Sequence, residues 1–411
     1  MQYKNKKFVM ESGERNCIIL DKETGLPAYY ENLFLTTKIR NRGYTVSTIE
    51  VVATKLIIFK EFCKNNQINL HERIMSKEFL NIFEIDNLVR YLNIRFDNRE
   101  TPDINKKEFK SISKRTFNYR LHVVAKYLEW LCEVIHSMCK INAKNEVDIF
   151  IKSIESHKWS VRTLKLNERP DRALEDKQII ELFKIVEIGS ELNPFSKEVQ
   201  SRNKLIFKIL INLGLRAGEL LNIKIEDLDL YENTLYVRRR HENTLYVRRR
   251  HDCNKDSRIY QPLVKTEERV LKLSDGLAKE IDDYMIYERE LSTKRKKHSY
   301  LFVTHGNSNT EGEPLSISAY EKIISTIKKN SNLLANLSGH RLRHSWNYYF
   351  SKEADSSQLS GHEQDSFRKY CMGWSDSSKM PEVYNRKMTS EKHKEIMLKI
   401  FNTTERIIKG E

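Results

Sequence analysis

The 411-residue sequence lacks any long apolar run, and its cysteines are not arranged in pairs. The most apolar stretch reads LIFKILINLGL, which contains Lys208 and is too short to span a bilayer. No apolar signal-peptide core occurs in the N-terminal MQYKNKKFVMESGER. The six cysteines form no C-x-x-C pair, so there is neither a zinc signature nor a disulfide framework. We therefore expect a cytoplasmic protein that does not enter a membrane.

Positive charge is in clear excess. Lysine and arginine number 72 against 57 aspartates and glutamates, a formal net charge of +15, and the pI is near 9.3. Such an excess favours a polyanionic partner, with nucleic acid ahead of a membrane surface. A basic surface that serves only solubility is the alternative. The length leaves room for about two or three domains.

The first 160 residues predict a helical region preceded by a small hairpin or an extended arm. Residues 1–30 alternate short apolar and turn-like pieces. Ser47 and Glu50 have the spacing of a capping box, and a helix with one apolar face follows. A second helix is predicted over about 114–137. The apolar residues of the two predicted faces are Val52, Leu56, Phe59 and Cys63, then Leu121, Val124, Leu128 and Leu131.

The start of the second predicted helix carries polar side chains that suit contact with phosphate. They are Lys114, Arg115, Asn118 and Arg120. Such side chains commonly position a protein on a nucleic-acid backbone. A helix face that is merely solvated has the same composition, so both interpretations stay open.

A charged stretch without apolar periodicity, HKWSVRTLKLNERPDRALEDKQ, predicts a linker between two domains. Helical patterns follow it, β-type segments dominate about 228–274, and helices are predicted to resume near Ser316. The predicted divisions are an arm over 1–30, an all-helical domain over 31–160, the linker over 161–175, a mainly helical domain with a small sheet over 176–390, and an amphipathic tail helix over 391–411.

Three short motifs in the C-terminal half carry the residues of most chemical interest. GLRAGELL places Arg216 at an otherwise apolar helix start, and GHRLRHSW places His340 and Arg343 on one helical face. MGWSDSSKMPEVYNRK contains Trp374 and Tyr384. Each motif alone is more typical of capping, ion pairing or packing than of catalysis. Only their joint occurrence in this order indicates a function.

In this order the motifs resemble those of the tyrosine recombinases, the phage integrase family, and the resemblance covers most of residues 30–390. QPLVKTEERVLKLS looks like the family's second and third strands, with Lys265 at the turn between them. The resemblance implies a mainly α fold, in which a helical, SAM-like core-binding domain precedes a mixed α+β catalytic domain with a small antiparallel sheet. The two domains are expected to close around duplex DNA as a C-shaped clamp.

The resemblance also implies catalytic roles. Arg216 and Arg343 hold the non-bridging phosphate oxygens with planar, permanently charged forks. Tyr384 is the nucleophile and forms a 3′-phosphotyrosyl link. Because a free phenol has a pKa of about 10, its proton needs an acceptor. The arginines supply the electrostatic clamp that a metal supplies elsewhere, so no metal ion and no cofactor are expected.

Proton transfer and a further phosphate contact are implied for three more residues. His340 is the candidate base for the Tyr384 proton, and Lys265 is the candidate acid for the leaving 5′-oxygen. Trp374 can donate one indole N–H to the phosphate and pack behind the nucleophile. Glu219 either orients one of these groups or is an ordinary helix carboxylate.

The implied function is site-specific DNA recombination, the cutting and rejoining of DNA for integration or excision of a mobile element. The implied partners are double-stranded DNA, other copies of the chain in a homotetramer on paired sites, and DNA-bending accessory proteins, all at the bacterial nucleoid. Two alternatives stay open. A relaxing enzyme like the type IB topoisomerases shares the residue set, and a DNA-binding relative without catalysis keeps only the fold.

The sequence also contains a perfect tandem repeat, because ENTLYVRRRH over 232–241 recurs over 242–251. Each copy has the composition of a strand, and ten residues, an even number, preserve which side chains face the core. Ten additional residues would lengthen an extended strand by about 33 Å, far more than a small sheet can pair. We therefore expect one copy to pair as the native strand and the other to be extruded. The extra length separates Arg216 from Lys265 more widely than is usual in the family.

Overall fold

The computed structural model describes residues 1–96, 110–161, 172–237, 256–264, 266–293, 296, 298–306, 309–378, 380–381 and 396–400. The chain forms two compact units, and of the described residues, 1–161 belong to the first unit and those from 172 onward to the second. This division falls within the charged segment at 161–175. Each unit contains its own buried apolar core.

The first unit is a β-hairpin followed by helices. Its elements, in chain order, are β1 (Tyr3–Val9), β2 (Arg15–Asp21), α1 (Tyr29–Phe34), α2 (Val46–Asn65), α3 (Leu70–Met75), α4 (Ile82–Asn93), α5 (Lys114–Cys139) and α6 (Lys144–Glu155). Strands β1 and β2 pair antiparallel, which confirms the hairpin alternative for the N-terminal segment. The hairpin packs on α2, where Lys7 forms an ion pair with Glu50 at 2.8 Å.

Helices α2 and α5 supply much of the core of the first unit. All eight apolar residues of the two predicted faces are at most 6% exposed, so both amphipathic patterns are confirmed. α5 begins at Lys114 because the side chain of Ser113 accepts a hydrogen bond from the Thr116 N–H at 3.2 Å. The periodicity of the sequence thus locates the helices that hold this unit together.

The capping box predicted at Ser47 and Glu50 is wrong. α2 begins at Val46, directly after Thr45, so Ser47 lies inside its first turn. The Glu50 carboxylate pairs instead with Lys7 of the hairpin. A tertiary ion pair has replaced the local reciprocal hydrogen bonds that the spacing suggested.

The second unit is a helical body with one small antiparallel sheet. Its elements are α7 (Asp176–Ile185), α8 (Lys197–Leu213), α9 (Ala217–Leu220), β3 (Leu228–Asp229), β4 (Thr234–Val237), β5 (Arg269–Lys272), α10 (Asp275–Tyr284), α11 (Glu290–Thr293), α12 (Ile317–Asn330), α13 (Gly339–Ser356) and α14 (Gly361–Met372). Both α10 and α13 pack on α8, whose apolar residues lie in the core. The predicted class, mainly α with small antiparallel sheets, is confirmed.

The sheet of the second unit has the strand order β3-β4-β5, with both pairs antiparallel. β4 is the Thr-Leu-Tyr-Val of the first repeat copy, and it pairs with β5 so that Thr234 lies opposite Lys272. The prediction that one copy pairs as a strand is confirmed, and the first copy does so. Residues 238–255, which include the second copy, lie outside the described residues.

Two details of the predicted secondary structure are wrong. Residues 261–264, expected to be a strand, are irregular, because β4 takes the position beside β5. Helices resume well before Ser316, at α10, which the Ser274 side chain caps by accepting from the Leu277 N–H at 3.3 Å. Leu277 and Ile281, one turn apart, bury the inner face of that helix.

Within the described ranges, no helix is long and apolar enough to cross a membrane. Of the predicted tail, the structure describes residues 396–400, which are helical. Ile396, Met397 and Ile400 are each about half exposed. The rest of the predicted tail helix, residues 391–395 and 401–411, lies outside the described residues.

Deleting residues 242–251 should leave the fold intact. Because the two copies are identical, the shortened chain keeps the Thr-Leu-Tyr-Val that pairs with β5. We expect the midpoint of thermal unfolding, followed by circular dichroism, to change by less than about 4 °C. Leu235→Ala in the shortened chain is the control and should lower the midpoint strongly, since Leu235 is buried. If the deletion alone lowered the midpoint of thermal unfolding strongly, the second copy would be shown to support the sheet.

Candidate active site

The Arg216 motif lies where one helix ends and the next begins. α8 is closed by Gly214 in a left-handed conformation, and Arg216 precedes α9. Within α9, a Cβ on Gly218 would lie 2.4 Å from the Leu263 carbonyl oxygen. The glycine therefore lets α9 approach the segment that leads to β5.

Glu219 is the buried carboxylate around which the site is built, and it is only 2% exposed. Its Oε1 accepts from Arg216 Nη1 at 3.2 Å and from the Thr266 hydroxyl at 2.9 Å. Its Oε2 accepts from the Arg216 backbone N–H at 3.1 Å and from Arg269 Nη2 at 2.9 Å. Arg343 Nη1 lies 3.8 Å from the same Oε2. One carboxylate thus contacts three guanidiniums.

Burial alone would raise the pKa of Glu219, because an ionised carboxylate loses its hydration in the protein interior. The positive charges of Arg269, Arg343 and Arg216, together with the Arg216 backbone N–H, outweigh burial and hold this pKa below its ordinary value. Glu219 is therefore ionised at neutral pH. Its charge offsets the charges of the arginines enclosed beside it.

Arg343 lies in the interior and ties separate segments together. Its side chain is fully buried. Nη1 donates to the Gly214 carbonyl at 2.7 Å and Nη2 to the Met372 carbonyl at 3.0 Å, and the guanidinium lies over the Trp374 ring at 5.7 Å. The Arg216 side chain, in contrast, is 32% exposed. Arg216 thus faces solvent, whereas Arg343 organises the site from within, and a direct phosphate contact by Arg343 stays a prediction.

His340 and His344 are neighbours on α13, one exposed and one buried. Their rings meet edge to face with centroids 5.0 Å apart. Partial desolvation and the charges of Arg172, Arg343 and Arg216 lower the pKa of His340. Burial, and then the nearby positive charges, lower the pKa of His344 to about 3. Both imidazoles are therefore neutral at pH 7, the form in which His340 can accept a proton.

Trp374 packs into the same site just after α14. It is buried and lies against Met372. The preceding Gly373 has a φ of 61°, and a Cβ there would lie 2.7 Å from Arg269 Nη1 and 2.8 Å from the Thr266 side chain. Only glycine allows the Trp374 segment to come this close to β5.

Four predicted catalytic residues lie together in one cluster, namely Arg216, His340, Arg343 and Trp374. The other two, Lys265 and Tyr384, lie outside the described residues, and their roles stay predictions. Thr266, the next residue after Lys265, belongs to the Glu219 cluster.

Two of the side chains predicted to contact phosphate at the start of α5 are exposed to solvent. Lys114 and Arg115 are both exposed. Asn118 instead bonds the backbone of Trp159, donating to its carbonyl at 2.8 Å and accepting from its N–H at 2.9 Å. The Asn118 amide therefore joins α5 to the end of the first unit.

The prediction that Arg120 contacts phosphate is wrong. Its side chain is buried, and Nη1 donates to the carbonyls of Leu92 at 2.9 Å and Ile94 at 2.7 Å. The guanidinium also lies over the Phe96 ring at 5.4 Å. Arg120 satisfies carbonyls at the end of α4, where the helix has no further N–H groups to offer.

Thr266 and Arg269, although central to the cluster, are not predicted by the sequence motifs. A signal for Arg269 exists, because in the strand RVLK it shares the buried face with Leu271. A charged residue in an inward strand position needs a buried partner. The strand pattern, however, does not reveal that the partner is Glu219, and Thr266 carries no comparable signal.

The family model described as the phage integrase family matches residues 172–391 of the chain. This range contains the whole Glu219 cluster as well as Lys265 and Tyr384, the two predicted catalytic residues that lie outside the described residues. The chain belongs to the phage integrase family. It is thus a tyrosine recombinase, an enzyme that cuts and rejoins DNA at specific sites.

Relatives of this recombinase include a transposon's transposase and other tyrosine recombinases. Transposase A from transposon Tn554 of Staphylococcus aureus is 22% identical over 336 residues, which cover 80% of each chain. Tyrosine recombinase XerD of Halalkalibacterium halodurans is 26% identical over 176 residues, covering 41% of this chain and 48% of that protein. Among solved structures, the Tn1549 transposon integrase in complex with circular intermediate DNA has a TM-score of 0.48 at 14% identity, covering 86% of this chain and 94% of that chain. XerH bound to its difH substrate has a TM-score of 0.47 at 16% identity, covering 89% and 83%.

Glu219→Gln should destabilise the recombinase in a pH-dependent way. Removing the charge leaves buried arginines uncompensated, so we expect the free energy of unfolding at pH 7 to fall by about 3 kcal/mol. The folded-state pKa of Glu219 lies below the unfolded value of about 4.3, so its contribution is present above that pH and is lost as pH falls through the folded-state value. The difference in the free energy of unfolding between wild type and variant should therefore become smaller below about pH 4, as measured by urea unfolding at a series of pH values.

Glu226→Gln is the matched control. The Glu226 side chain is 48% exposed, and its carboxylate lies 3.7 Å from the Lys224 ammonium. The unfolding free energy of this variant should stay within about 0.5 kcal/mol of wild type at every pH. If the free energies of unfolding of wild type and Glu219→Gln changed with pH in parallel, this would contradict an ionised Glu219 that compensates the arginine charges.

Proposed function

We propose that this recombinase integrates and excises a mobile DNA element, and that Tyr384 cuts each strand and retains the phosphate as a 3′-phosphotyrosyl link. One observation carries the proposal. Glu219 contacts both Arg216 and Arg343, and the charges of both arginines act on His340, so the two predicted phosphate ligands and the candidate base lie close together. Similarity to a transposon's transposase over 80% of both chains supports the mobile element.

Strand cleavage begins with in-line attack on the phosphodiester, during which negative charge builds on the non-bridging oxygens. Arg216, the solvent-facing arginine, offers N–H donors to these oxygens, and Arg343 supports the site from inside. The Tyr384 oxygen bonds to phosphorus and its proton passes to His340. Because the pKa of His340 is lowered, its imidazole is already neutral at pH 7.

Departure of the 5′-oxygen completes the cleavage. The bond from phosphorus to that oxygen breaks, and Lys265 donates the proton that converts the leaving oxygen to a 5′-hydroxyl. The phosphotyrosyl diester is an ester of the same kind as the one broken. A 5′-hydroxyl of another duplex can therefore attack it, release Tyr384 and restore a DNA diester without ATP.

Recombination joins two duplexes, so we propose a homotetramer of this chain on two paired double-stranded sites. Its place of action is the bacterial nucleoid, with DNA-bending accessory proteins where the sites must be brought together. The net charge of +15 favours association with such a polyanion. Two-site reactions should give recombinant joints, whereas an enzyme that only relaxes supercoils would give none.

A nicked duplex that loses its 5′-hydroxyl fragment after cleavage should trap the recombinase on DNA. We expect a protein–DNA band that resists SDS when the duplex carries the site from DNA flanking the gene. Tyr384→Phe should abolish the band, because phenylalanine lacks the attacking oxygen. The matched control Tyr370→Phe, at an exposed tyrosine on α14, should keep it. A band that persists in Tyr384→Phe would disprove the nucleophile, and site binding without any band would favour a relative without catalysis.

For DNA binding by the first unit, we propose that Lys114 and Arg115 contact phosphates. Replacing both with alanine should reduce the slope of log affinity against log salt by about 0.9 for each phosphate that is no longer neutralised, equally for all sequences. Lys126→Ala on the same helix is the control, since Lys126 pairs with Glu129 at 2.7 Å. Fluorescence anisotropy over a series of salt concentrations measures the slope for the double variant and for the control. An unchanged slope in the double variant would rule out the phosphate contacts.

A further inference from the structure

Arg269 joins three segments of the recombinase that carry different parts of the predicted chemistry. It is only 4% exposed at the start of β5. Nη2 donates to Glu219, in the Arg216 motif, at 2.9 Å, and Nε donates to the Cys371 carbonyl, just before Trp374, at 2.6 Å. Nη1 donates to the Thr266 hydroxyl at 3.2 Å. Its fork thus reaches all three segments at once.

Thr266 is the second member of this junction. Its hydroxyl is buried, accepts from Arg269 and donates to Glu219 Oε1 at 2.9 Å. Since Thr266 directly follows Lys265 in the chain, these two hydrogen bonds fix the backbone beside the predicted general acid.

A backbone contact strengthens the same junction. The Glu267 N–H donates to the Gly373 carbonyl at 3.0 Å. There is no room for a side chain at Gly373, where a Cβ would meet Arg269 and Thr266 below 3 Å. The residues after Lys265 therefore lie directly against the segment that ends in Trp374.

We propose that Thr266 and Arg269 are positioning residues that hold residues 266–269 against the Trp374 segment, and so place the Lys265 ammonium at the leaving 5′-oxygen. The inference rests on the proposed function, in which Lys265 is the acid. Both side chains are buried and hydrogen-bonded to protein groups, so the proposal gives neither of them a phosphate contact. Each acts through the placement of Lys265, and a small displacement of a catalytic group is costly, with about 1 Å worth about 100-fold in rate.

A substrate that needs no acid separates positioning of Lys265 from general damage. In a nicked duplex with sulfur replacing the bridging 5′-oxygen, the leaving group is a thiolate, whose conjugate thiol has a pKa of about 8.5 and which departs unprotonated. Lys265→Ala should cleave the oxygen substrate slowly and the sulfur substrate nearly as fast as wild type. Thr266→Val and Arg269→Lys should show the same pattern, with cleavage of the oxygen substrate slowed by about 10- to 100-fold.

Two further variants keep this test independent of folding defects. Thr266→Ser retains the hydroxyl and should recover most of the rate that Thr266→Val forfeits. Arg289→Lys is the matched control for Arg269→Lys, because Arg289 is also buried, and its guanidinium donates to the carbonyls of Tyr300 at 2.8 Å and His298 at 3.0 Å, which do not belong to the Glu219 cluster. It should change the thermal midpoint without changing the ratio of sulfur to oxygen rates.

Three outcomes separate the positioning role from the acid role. If Lys265→Ala is rescued by sulfur while Thr266→Val and Arg269→Lys remain equally slow on both substrates, the positioning role is overturned and the acid role of Lys265 stands. If Lys265→Ala itself is not rescued, the proposed acid is wrong and the positioning inference fails with it. Rescue of all three variants, with an unchanged ratio of sulfur to oxygen rates in Arg289→Lys, supports the proposal.

Discussion

Glu219 is an ionised carboxylate enclosed in the interior of the second unit, and the placement of three arginines depends on it. Taking such a group out of water costs several kcal/mol, which hydrogen bonds and opposite charge must offset. Here the offset comes from hydrogen-bond donors on Arg216, Thr266 and Arg269, and from the positive charge of Arg343, whose Nη1 lies 3.8 Å from Glu219 Oε2. The dependence is mutual, because each guanidinium near Glu219 would otherwise be a poorly compensated charge.

The arginines also satisfy the ends of helices that converge on the site. The last carbonyls of an α-helix have no intrahelical partner and carry partial negative charge. Arg343 donates to Gly214 after α8 and to Met372 at the end of α14, and Arg269 donates to Cys371 in the same last turn. Residues remote in sequence are thereby fixed to one another, and negative charge that would repel a phosphodiester is neutralised.

Patterns of local spacing predicted much of this molecule. Residues near each other in sequence were enough to predict the apolar faces of α2 and α5 and the pairing of one repeat copy. The order of the motifs predicted that Arg216 clusters with His340 and Arg343. The failures have tertiary causes. From the sequence alone Arg120 suits contact with phosphate, but in the fold it binds carbonyls at the end of α4. The strand pattern indicates that Arg269 needs a buried partner, but only the fold shows that this partner is Glu219.

The direct test of the central claim is a double-mutant cycle on Glu219→Gln and Arg269→Gln, with the rate of covalent complex formation on the nicked duplex as the readout. If the two residues act as one unit, the double variant should lose little more than the worse single variant, with a coupling free energy of about 1–3 kcal/mol. Losses that add to within about 0.5 kcal/mol would show that the residues act independently, and would contradict a site organised by one buried carboxylate.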